Sequence, residues 1–584
     1  MKGVFWNSLL LIACAEDPQI NTCDPRPVSE PTTNFFTDIS DSSGIRVGNY
    51  DEDPPEGTRI NDHSRLAFAD INTDGFDDIV MHSLYPNATN GVPFEHLVFL
   101  NDGQGNFIDH SDASGLRNIQ AGLFAFADVD NDGDQDVFAG LDVPSLGSHR
   151  SAILLNDGTG VFSAVTDSGV EVSQPTVATA VFADFNGDAK VDLFVGNGHT
   201  SYGLPDQLFW GHGNGTFSLD NEALPGVSQQ PSNGAVACDY DNDGDQDIFV
   251  ATYGVSVENG HNQLWRNDGG SFTDVAIEAG VAALRTGNYW LDSTGFGRDG
   301  EPVDPESWVG SNAFGVDCGD VDGDGDLDLW LATISHPVSS DYNRKWSDPS
   351  QLLLNQGDGT FSNGYLDAGL PFNEGDIDAG MVDFDNDGRM DLSVTRDTKY
   401  ENGYDEPDQQ AWFGLMWQQP DGAFSSVGLG SGINGDENEE WLQMKGGQNH
   451  AWSDIDHDGD LDLLVGGRDQ GGGRPNFLFE NHMGQENRWI ALSLEGDGTN
   501  VSSDAFGTRV QITWENDIIM REKHGSRGTY NSEDSRWIHI GLGNRDCSAS
   551  IEILWPNGRT VNLDWADLQD DVFTRIQYPD HILR

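Results

Sequence analysis

Short apolar runs and polar, glycine-rich turns alternate along most of this chain, and one polar pattern recurs. It places oxygen-bearing side chains at positions 1, 3, 5 and 9 of a nonapeptide, usually with glycine at position 6. Seven copies begin at Asp70, Asp128, Asp184, Asp239, Asp320, Asp383 and Asp454. Each follows small and apolar residues, such as Leu66-Ala67-Phe68-Ala69 or Ala235-Val236-Ala237-Cys238, and leads into a mostly continuous apolar run such as Ile79-Val80-Met81 or Leu463-Leu464-Val465. Short apolar runs without alternation predict strands buried on both faces, so each copy reads as the loop of a β-hairpin.

Most units continue into a third apolar run and a glycine turn. Val98-Phe99-Leu100 is followed by Asn101 to Phe107, Ile153-Leu154-Leu155 by Asn156 to Phe162, and Leu352-Leu353-Leu354 by Asn355 to Phe361. Four strands joined by hairpins make one propeller blade, so the seven units predict an all-β fold with a seven-bladed β-propeller over 35–486. Beyond the glycine turn most units read like Phe107-Ile108-Asp109 or Phe272-Thr273-Asp274, often with an Ala/Ser-Gly-apolar triplet after it. The seventh lacks this run, because Phe479-Glu480-Asn481 passes straight into the C-terminal region. The same signature stands near the N-terminus, in Phe36-Thr37-Asp38-Ile39 and Ser43-Gly44-Ile45. A strand within 35–45 is therefore expected to complete the last blade and close the ring without an open edge.

Net charge is −69 with only 29 Lys and Arg in 584 residues, which argues against nucleic-acid binding, since a phosphate backbone requires a basic face. Many of the carboxylates fall inside the seven loops, where bound divalent cations would offset their repulsion. Residues 1–13, a charged start and then Val4 to Ala13, read as an export signal too short to span a bilayer. Leu11-Ile12-Ala13-Cys14 resembles a bacterial lipobox, which would make Cys14 a lipidated first residue. Residues 14–34, with Pro25, Pro27 and Pro31, suit a tether. The expectation is a monomer exported to the cell surface or the extracellular space, touching membrane only through a lipid anchor. Cys23, Cys238, Cys318 and Cys547 are too scattered for a metal cluster or a dense disulfide framework, and Cys238 and Cys318 read as buried thiols or a bridge.

A calcium ion takes six to eight oxygens at about 2.3 to 2.6 Å, which a tight loop with carboxylates at alternate positions supplies. The donors expected at position 3 are Asn72, Asp130, Asn186, Asp241, Asp322, Asp385 and Asp456, and at position 5 Asp74, Asp132, Asp188, Asp243, Asp324, Asp387 and Asp458. At position 9 they are Asp78, Asp136, Asp192, Asp247, Asp328, Asp391 and Asp462. The third loop has Ala189 at position 6 and Lys190 at position 7, and reads as a weaker site. An EF-hand would carry an acidic residue at position 12. That position holds Met81, Ala139, Val195, Val250, Leu331, Val394 and Val465, so these are hairpin loops instead.

These repeats resemble the FG-GAP/VCBS family, whose calcium-bearing propellers include the integrin α-subunit head. The resemblance implies up to seven structural calcium ions, one pinning each hairpin on one face of the disc. It also implies a backbone carbonyl ligand at position 7, so that Phe76, Asp134, Lys190, Asp245, Asp326, Arg389 and Asp460 vary freely. From Asn487 onward the pattern changes to alternating segments: Arg488 to Leu494, Gly507 to Ile512, Arg536 to Gly543 and Ile551 to Gly558. They predict a small β-domain over 487–584. Gly507-Thr508-Arg509-Val510, Gly541-Leu542-Gly543 and Trp555-Pro556-Asn557-Gly558 resemble the hallmarks of the ASPIC/UnbV domain. The order of the two modules resembles that of the cartilage acidic protein family and its bacterial members, which implies extracellular binding or adhesion.

No Ser-His-Asp spacing, nucleophile elbow, Walker loop, HExxH or dinucleotide fingerprint emerges, and the 15 histidines are scattered. The strand after each loop should emerge on the opposite face near the channel mouth, at His82, His199, Tyr253, His336, Arg396 and Arg468. That face, walled by insertions over 286–312 and 399–449, is the expected binding surface for a protein or glycan. Tyr289, Trp290, Trp308, Trp412, Trp417 and Trp441 in the insertions would stack on sugars or pack on the disc, packing being the favoured use. Two function classes compete. One is a calcium-stabilised surface binding protein; the other is a propeller enzyme such as a calcium-dependent polysaccharide lyase.

Overall fold

The structure is a computed structural model that describes residues 28–46, 65–82, 96–119, 121–141, 150–172, 176–198, 204–226, 231–253, 260–283, 312–334, 350–371, 373, 375–396, 411–434, 447–467, 476–485, 487–515, 517–529, 531–566, 568 and 572–583. Among these residues strands form nine four-stranded sheets, and one short helix spans Ala276–Ala279.

Seven of the sheets are antiparallel and each carries one acidic loop between its first two strands. The inner strands are Leu66–Ala69, Leu123–Ala127, Val177–Ala183, Ser232–Cys238, Ala313–Gly319, Asp376–Val382 and Gly447–Ser453. In every sheet the residue before the loop pairs with the loop's ninth residue, as in Ala69 with Asp78 and Ser453 with Asp462. Position 9 is thus both the last loop residue and the first of the second strand. The sheets pack face to face around an axis, which makes the fold propeller-like. Ala67 and Val80 of the first pack with Phe126 and Ala139 of the second, and Leu464 and Leu478 of the seventh pack back onto Phe68 and Ile79 of the first. The seventh sheet takes its outer strand from the N-terminal side, with Phe36 opposite Asn481 and Asp38 opposite Phe479.

Two rings of hydrogen bonds tie neighbouring sheets. On the outside, Phe107 N–H donates to Ser43 O at 2.7 Å, Phe162 to Ser114 O, Phe217 to Ser168 O and Phe424 to Ala368 O, and Phe36 N–H donates to Ser431 O at 2.8 Å. This explains the small-residue-Gly triplets. Gly44 has φ +95°, and a Cβ there would stand 2.5 Å from Phe107 O. Nearer the loops, the first residue of each glycine turn bridges two loops. Asn355 Nδ2 donates to Leu327 O of its own loop at 3.1 Å and to Tyr240 O of the preceding loop at 2.7 Å. Asn101, Asn156, Asn267 and Asn481 repeat this arrangement, and Gln418 Nε2 reaches Val321 O at 2.8 Å. The third sheet departs, because Gly211 stands there and a Cβ would lie 2.0 Å from Val191 O.

The remaining two sheets come from the C-terminal segment. One contains Arg488–Glu495, Ile538–Gly543, Phe573–Gln577 and His581–Leu583; the other contains Arg509–Thr513, Ile518–Glu522, Ser550–Leu554 and Thr560–Leu563. They enclose a core that includes Ile490, Val510, Ile540, Ile553 and Trp555. This unit covers the loop face. Arg509 pairs with Asp239 at 3.3 Å, Gly541 N–H donates to Asp383 Oδ2 at 3.1 Å, and Phe573 stacks on His457. Residues 526–529 and 531–536 enter the axis and touch the inner strand of all seven sheets. Phe68 N–H donates to Glu533 O, Phe126 N–H to Glu533 Oε2, and Ala180 N–H to Asn531 Oδ1. Gly528 N–H donates to Ala235 O, Ser532 Oγ to Asp378, Ser535 N–H to Trp452 O, and Arg527 pairs with Asp317 at 3.3 Å. No helix among the described residues is long and apolar enough to cross a membrane.

Removing a bridging amide leaves two buried carbonyls without a donor, at a cost of about 1–3 kcal/mol. Asn355→Ala is expected to lower the unfolding midpoint in urea by that free energy without changing the slope. Replacing Gly211 with Asn should also destabilise, because the third sheet has no room for the side chain. Equal midpoints for wild type and Asn355→Ala would remove the bridging role.

Candidate metal centres

The seven loops share one backbone path. Position 4 is left-handed in each, at Thr73, Asn131, Gly187, Asn242, Gly323, Asn386 and His457, and so is position 6, at Gly75, Gly133, Ala189, Gly244, Gly325, Gly388 and Gly459. Left-handed backbone disfavours side chains with a Cβ, which accounts for glycine at position 6 and leaves Ala189 (φ +64°) as the strained exception. The carboxylate at position 1 accepts from the N–H groups of positions 5 and 6, as Asp454 does from Asp458 at 3.1 Å and Gly459 at 2.9 Å. The carboxylate at position 9 accepts from position 2 and from the third strand: Asp462 from Ile455 at 3.1 Å and from Asn481 at 2.8 Å. The donor set is therefore fixed by backbone hydrogen bonds.

Carboxylate oxygens within 4.8 Å of one another come from Asp128, Asp130 and Asp136; Asp239, Asp241 and Asp243; Asp320, Asp322 and Asp328; Asp383, Asp385 and Asp391; and Asp454, Asp456 and Asp462. The first and third loops carry Asn72 and Asn186 in place of one carboxylate. Burial, and then the neighbouring negative charges, push these acids upward: Asp70, Asp128, Asp239 and Asp320 to about 7, Asp78 and Asp328 to about 8, and Asp136 to about 9. Buried oxygens of Asp130, Asp134, Asp241 and Asp460 have no hydrogen-bond donor. Crowded, half-dry oxygen donors with orphaned lone pairs fit a hard divalent cation, which would neutralise the loop and fill those lone pairs.

Position 7 varies in residue type, yet its side chain has a defined place. In six loops its side chain lies against the glycine turn or third strand of its own sheet. Phe76 lies beneath Gly103, Asp134 beneath Gly158 and Lys190 beneath Gly213, while Asp326 reaches Gly357, Gly269 N–H donates to Asp245 at 2.7 Å, and Arg389 Nε donates to Gln418 O at 3.0 Å. Lys190 also pairs with Asp188 at 3.0 Å, and Arg389 with Asp387. Asp460 is fully buried beside Asp458, and burial together with Asp458, Asp462 and Asp454 pushes it up to about 12. The repeated Asn after the third apolar run was the readable sign of the bridges between loops. The arginines that meet the loops lie far along the chain and left no local sign.

The residues expected on the opposite face fare differently. Arg396 does not present a free positive charge. Its side chain is 4% exposed and its Nε donates to Asp376 Oδ1 at 3.0 Å, because a buried guanidinium requires a partner. Tyr253 is half-buried, bridges to Asn312 and meets Phe314 edge-on. His82 ends the second strand of the first sheet, opposite His96. His199, His336 and Arg468 lie outside the described residues, as do Tyr289, Trp290, Trp308, Trp441, Cys14 and Cys23. Trp412 packs on Phe477 and Phe479, and Trp417 Nε1 donates to Asp385 Oδ2 at 2.9 Å. Cys238 and Cys318 are buried free thiols, and Cys547 is disulfide-bonded.

One constellation was invisible in sequence order. Ser393 Oγ lies 2.7 Å from His450 Nε2, whose Nδ1 lies 3.1 Å from Asp378 Oδ2. All three are fully buried, Ser393 Oγ donates to Gly380 O, and Trp452 Nε1 caps it at 3.3 Å. With no surface from which a substrate could reach the hydroxyl, the three groups act as a buried polar network.

Residues 184–250 match the family model described as FG-GAP-like repeat, and residues 496–580 match ASPIC and UnbV. The chain is 24% identical over 426 residues to Cartilage acidic protein 1 of Mus musculus, covering 59% of this chain and 64% of that protein's length. It is 23% identical over 516 residues to Cartilage acidic protein 1 of Xenopus tropicalis, covering 78% of this chain and 73% of that protein. Among solved structures, the V. cholerae biofilm matrix protein Bap1 aligns over 93% of this chain and 77% of its own, with 12% identity and a TM-score of 0.28. The exotype rhamnogalacturonan lyase YesX aligns over 93% and 75%, with 12% identity and a TM-score of 0.24.

Carboxyls raised above their unfolded value near 3.8 keep protons in the folded state that the unfolded chain has released. The stability this confers is complete below about pH 4 and is lost as pH rises through roughly 6 to 9. Chelated protein should therefore melt at lower temperature at pH 9 than at pH 5, and excess divalent cation should abolish the fall. A chelated melting temperature that is flat across this range, or unaffected by cation, would contradict the metal assignment.

Proposed function

We propose that this chain, which matches FG-GAP-like repeat over 184–250 and ASPIC and UnbV over 496–580, is an exported, calcium-stabilised binding protein of the cell surface. In this reading residues 35–486 form a closed seven-bladed propeller with up to seven structural calcium ions, and 487–584 form the ASPIC/UnbV domain that caps it. Residues 1–13 direct export and 14–34 tether the body, with Cys14 as the lipidation point. The propeller face opposite the acidic loops meets a protein or glycan.

The observation that carries this reading is the occupation of the loop face by the chain itself. Ion pairs such as Arg509 with Asp239 and Arg521 with Asp383 hold the C-terminal sheets there, and 526–529 and 531–536 fill that end of the axis. A partner is left the opposite face, where Tyr253 and its equivalents end the second strands. The disulfide at Cys547 supports an oxidising compartment. Calcium serves by neutralising loop carboxylates, and the chain's own residues supply its oxygens from positions 1, 3, 5 and 9.

The test is a panel of acidic and neutral polysaccharides and cell-surface extracts presented to calcium-loaded protein. Saturable binding without product, weakened by Tyr253→Ala at unchanged melting temperature, is the expected result. Accumulation of unsaturated sugar ends, read in the ultraviolet, would replace this reading with that of a polysaccharide lyase.

A further inference from the structure

Six of the seven loops rest their seventh side chain on the glycine turn or third strand of their own sheet. The seventh sheet has no such turn, because its fourth strand is Phe36–Asp38, brought from the N-terminal side. After Asn481 the chain runs instead through Met483 and Gly484 toward Trp489. Asp460 therefore lacks the support that its counterparts use. It is fully buried, both of its carboxylate oxygens are without a donor, and the charged groups that act on it are Asp458, Asp462 and Asp454 of the same loop. Trp489 closes the loop from the other side, its Nε1 set 2.1 Å from where a Cβ on Gly459 would stand.

The surroundings set this loop apart in charge as well. The third and sixth loops hold a base at position 7, Lys190 on Asp188 and Arg389 on Asp387, and Arg521 stands 3.8 Å from Asp383 of the sixth. Arg575 faces Asp70 of the first loop and Arg509 faces Asp239 of the fourth. The seventh loop instead has the amide of Gln485 on Asp458 and His457 stacked between Phe76 and Phe573.

We propose that Asp460 is a side-chain ligand in the seventh loop, in place of the backbone carbonyl expected at position 7, and that this loop binds calcium before the base-bearing third and sixth loops do. The proposal rests on the calcium reading above and deepens it. A ligand with its own charge, held in a dry site, attracts a divalent ion more strongly than a peptide oxygen does. A lysine or arginine bonded to a loop carboxylate must be displaced or repelled by the same ion. Closing the ring with the N-terminal strand thus also leaves Asp460 without a turn to rest on, as a charged ligand for the seventh loop.

Terbium, which occupies calcium loops and is excited through nearby tryptophan, tests this directly. Trp489 against Gly459 should make terbium in the seventh loop emit early in a titration of the full-length protein. Trp489→Phe should weaken the emission of that early phase, leaving the part excited through Trp452 and Trp537, with the calcium content measured by mass spectrometry unchanged. Asp460→Asn should move the phase to about tenfold higher terbium or beyond, about 1.4 kcal/mol or more of binding. The same variant should melt higher than wild type in chelator, since a buried carboxyl crowded against Asp458, Asp462 and Asp454 is gone, and lower than wild type in calcium. That reversal of sign is not expected of a merely structural residue. An early phase unchanged in Asp460→Asn, or a variant less stable under both conditions, overturns the proposal while the calcium reading stands. Calcium-free protein after equilibration with the ion overturns both.

Discussion

The carboxylate at the ninth position of each loop is the interaction on which the architecture depends. One oxygen accepts the N–H of the loop's second residue and the other accepts an N–H from the third strand, as Asp328 does from Val321 at 2.9 Å and Asn355 at 2.8 Å. A single side chain thereby fixes the loop, the start of the second strand and the register of the third. Such a charge is stable in a dry site only if something offsets its desolvation. Seven such sites in one ring make metal binding and folding the same electrostatic problem.

The C-terminal segment answers part of that problem from its own side. In a chain with 29 basic residues, Arg509, Arg521, Arg536, Arg545 and Arg575 all approach the acidic loops or the groups beside them. Arg536 meets Asp504 at 2.7 Å, and Asp504 in turn accepts the N–H of Asp128 at 2.7 Å. These five basic side chains stand against negative charge that the loops leave unbalanced. The contact is therefore selected by electrostatic complementarity, and buried ion pairs of this kind favour one docking pose more than they add stability.

Much of this was legible in the sequence because the repeat is local. A nonapeptide of alternate oxygens followed by Leu463-Leu464-Val465 states a loop and a strand without reference to anything distant. The absence of a fourth run after Asn481 pointed to Phe36, which lies beside Phe479 and Asn481 in the last sheet. What could not be read depends on contacts between segments far apart in the chain. The strands Ile518–Glu522, Thr560–Leu563, Phe573–Gln577 and His581–Leu583 are too short, at three to five residues each, to show a period in the sequence. Arg396 looked like an open cation at a strand exit, yet its charge is spent on Asp376, and the two are separated by the sixth sheet's whole loop and second strand. Position 7 looked unconstrained because its side chains differ in chemistry. What six of them share is a resting place on the glycine turn or third strand of their own sheet, which only the fold reveals.

Arg527 shows why the axis on the loop face is not a ligand channel. Its guanidinium is fully buried among Asp317 at 3.3 Å, Asp378 at 3.6 Å and Asp534 at 2.6 Å, and it donates to Ala379 O and His450 O. Asp317, Asp378 and His450 belong to the fifth, sixth and seventh inner strands, and Asn531 on the same segment holds Ala180 of the third. A ligand entering from this face would have to displace a cation from three carboxylates and leave them dry and unpaired. That cost far exceeds what a few new hydrogen bonds return. The segments 526–529 and 531–536 therefore behave as an axle fixed to the inner strands, and the same network seals Ser393 and His450 from solvent.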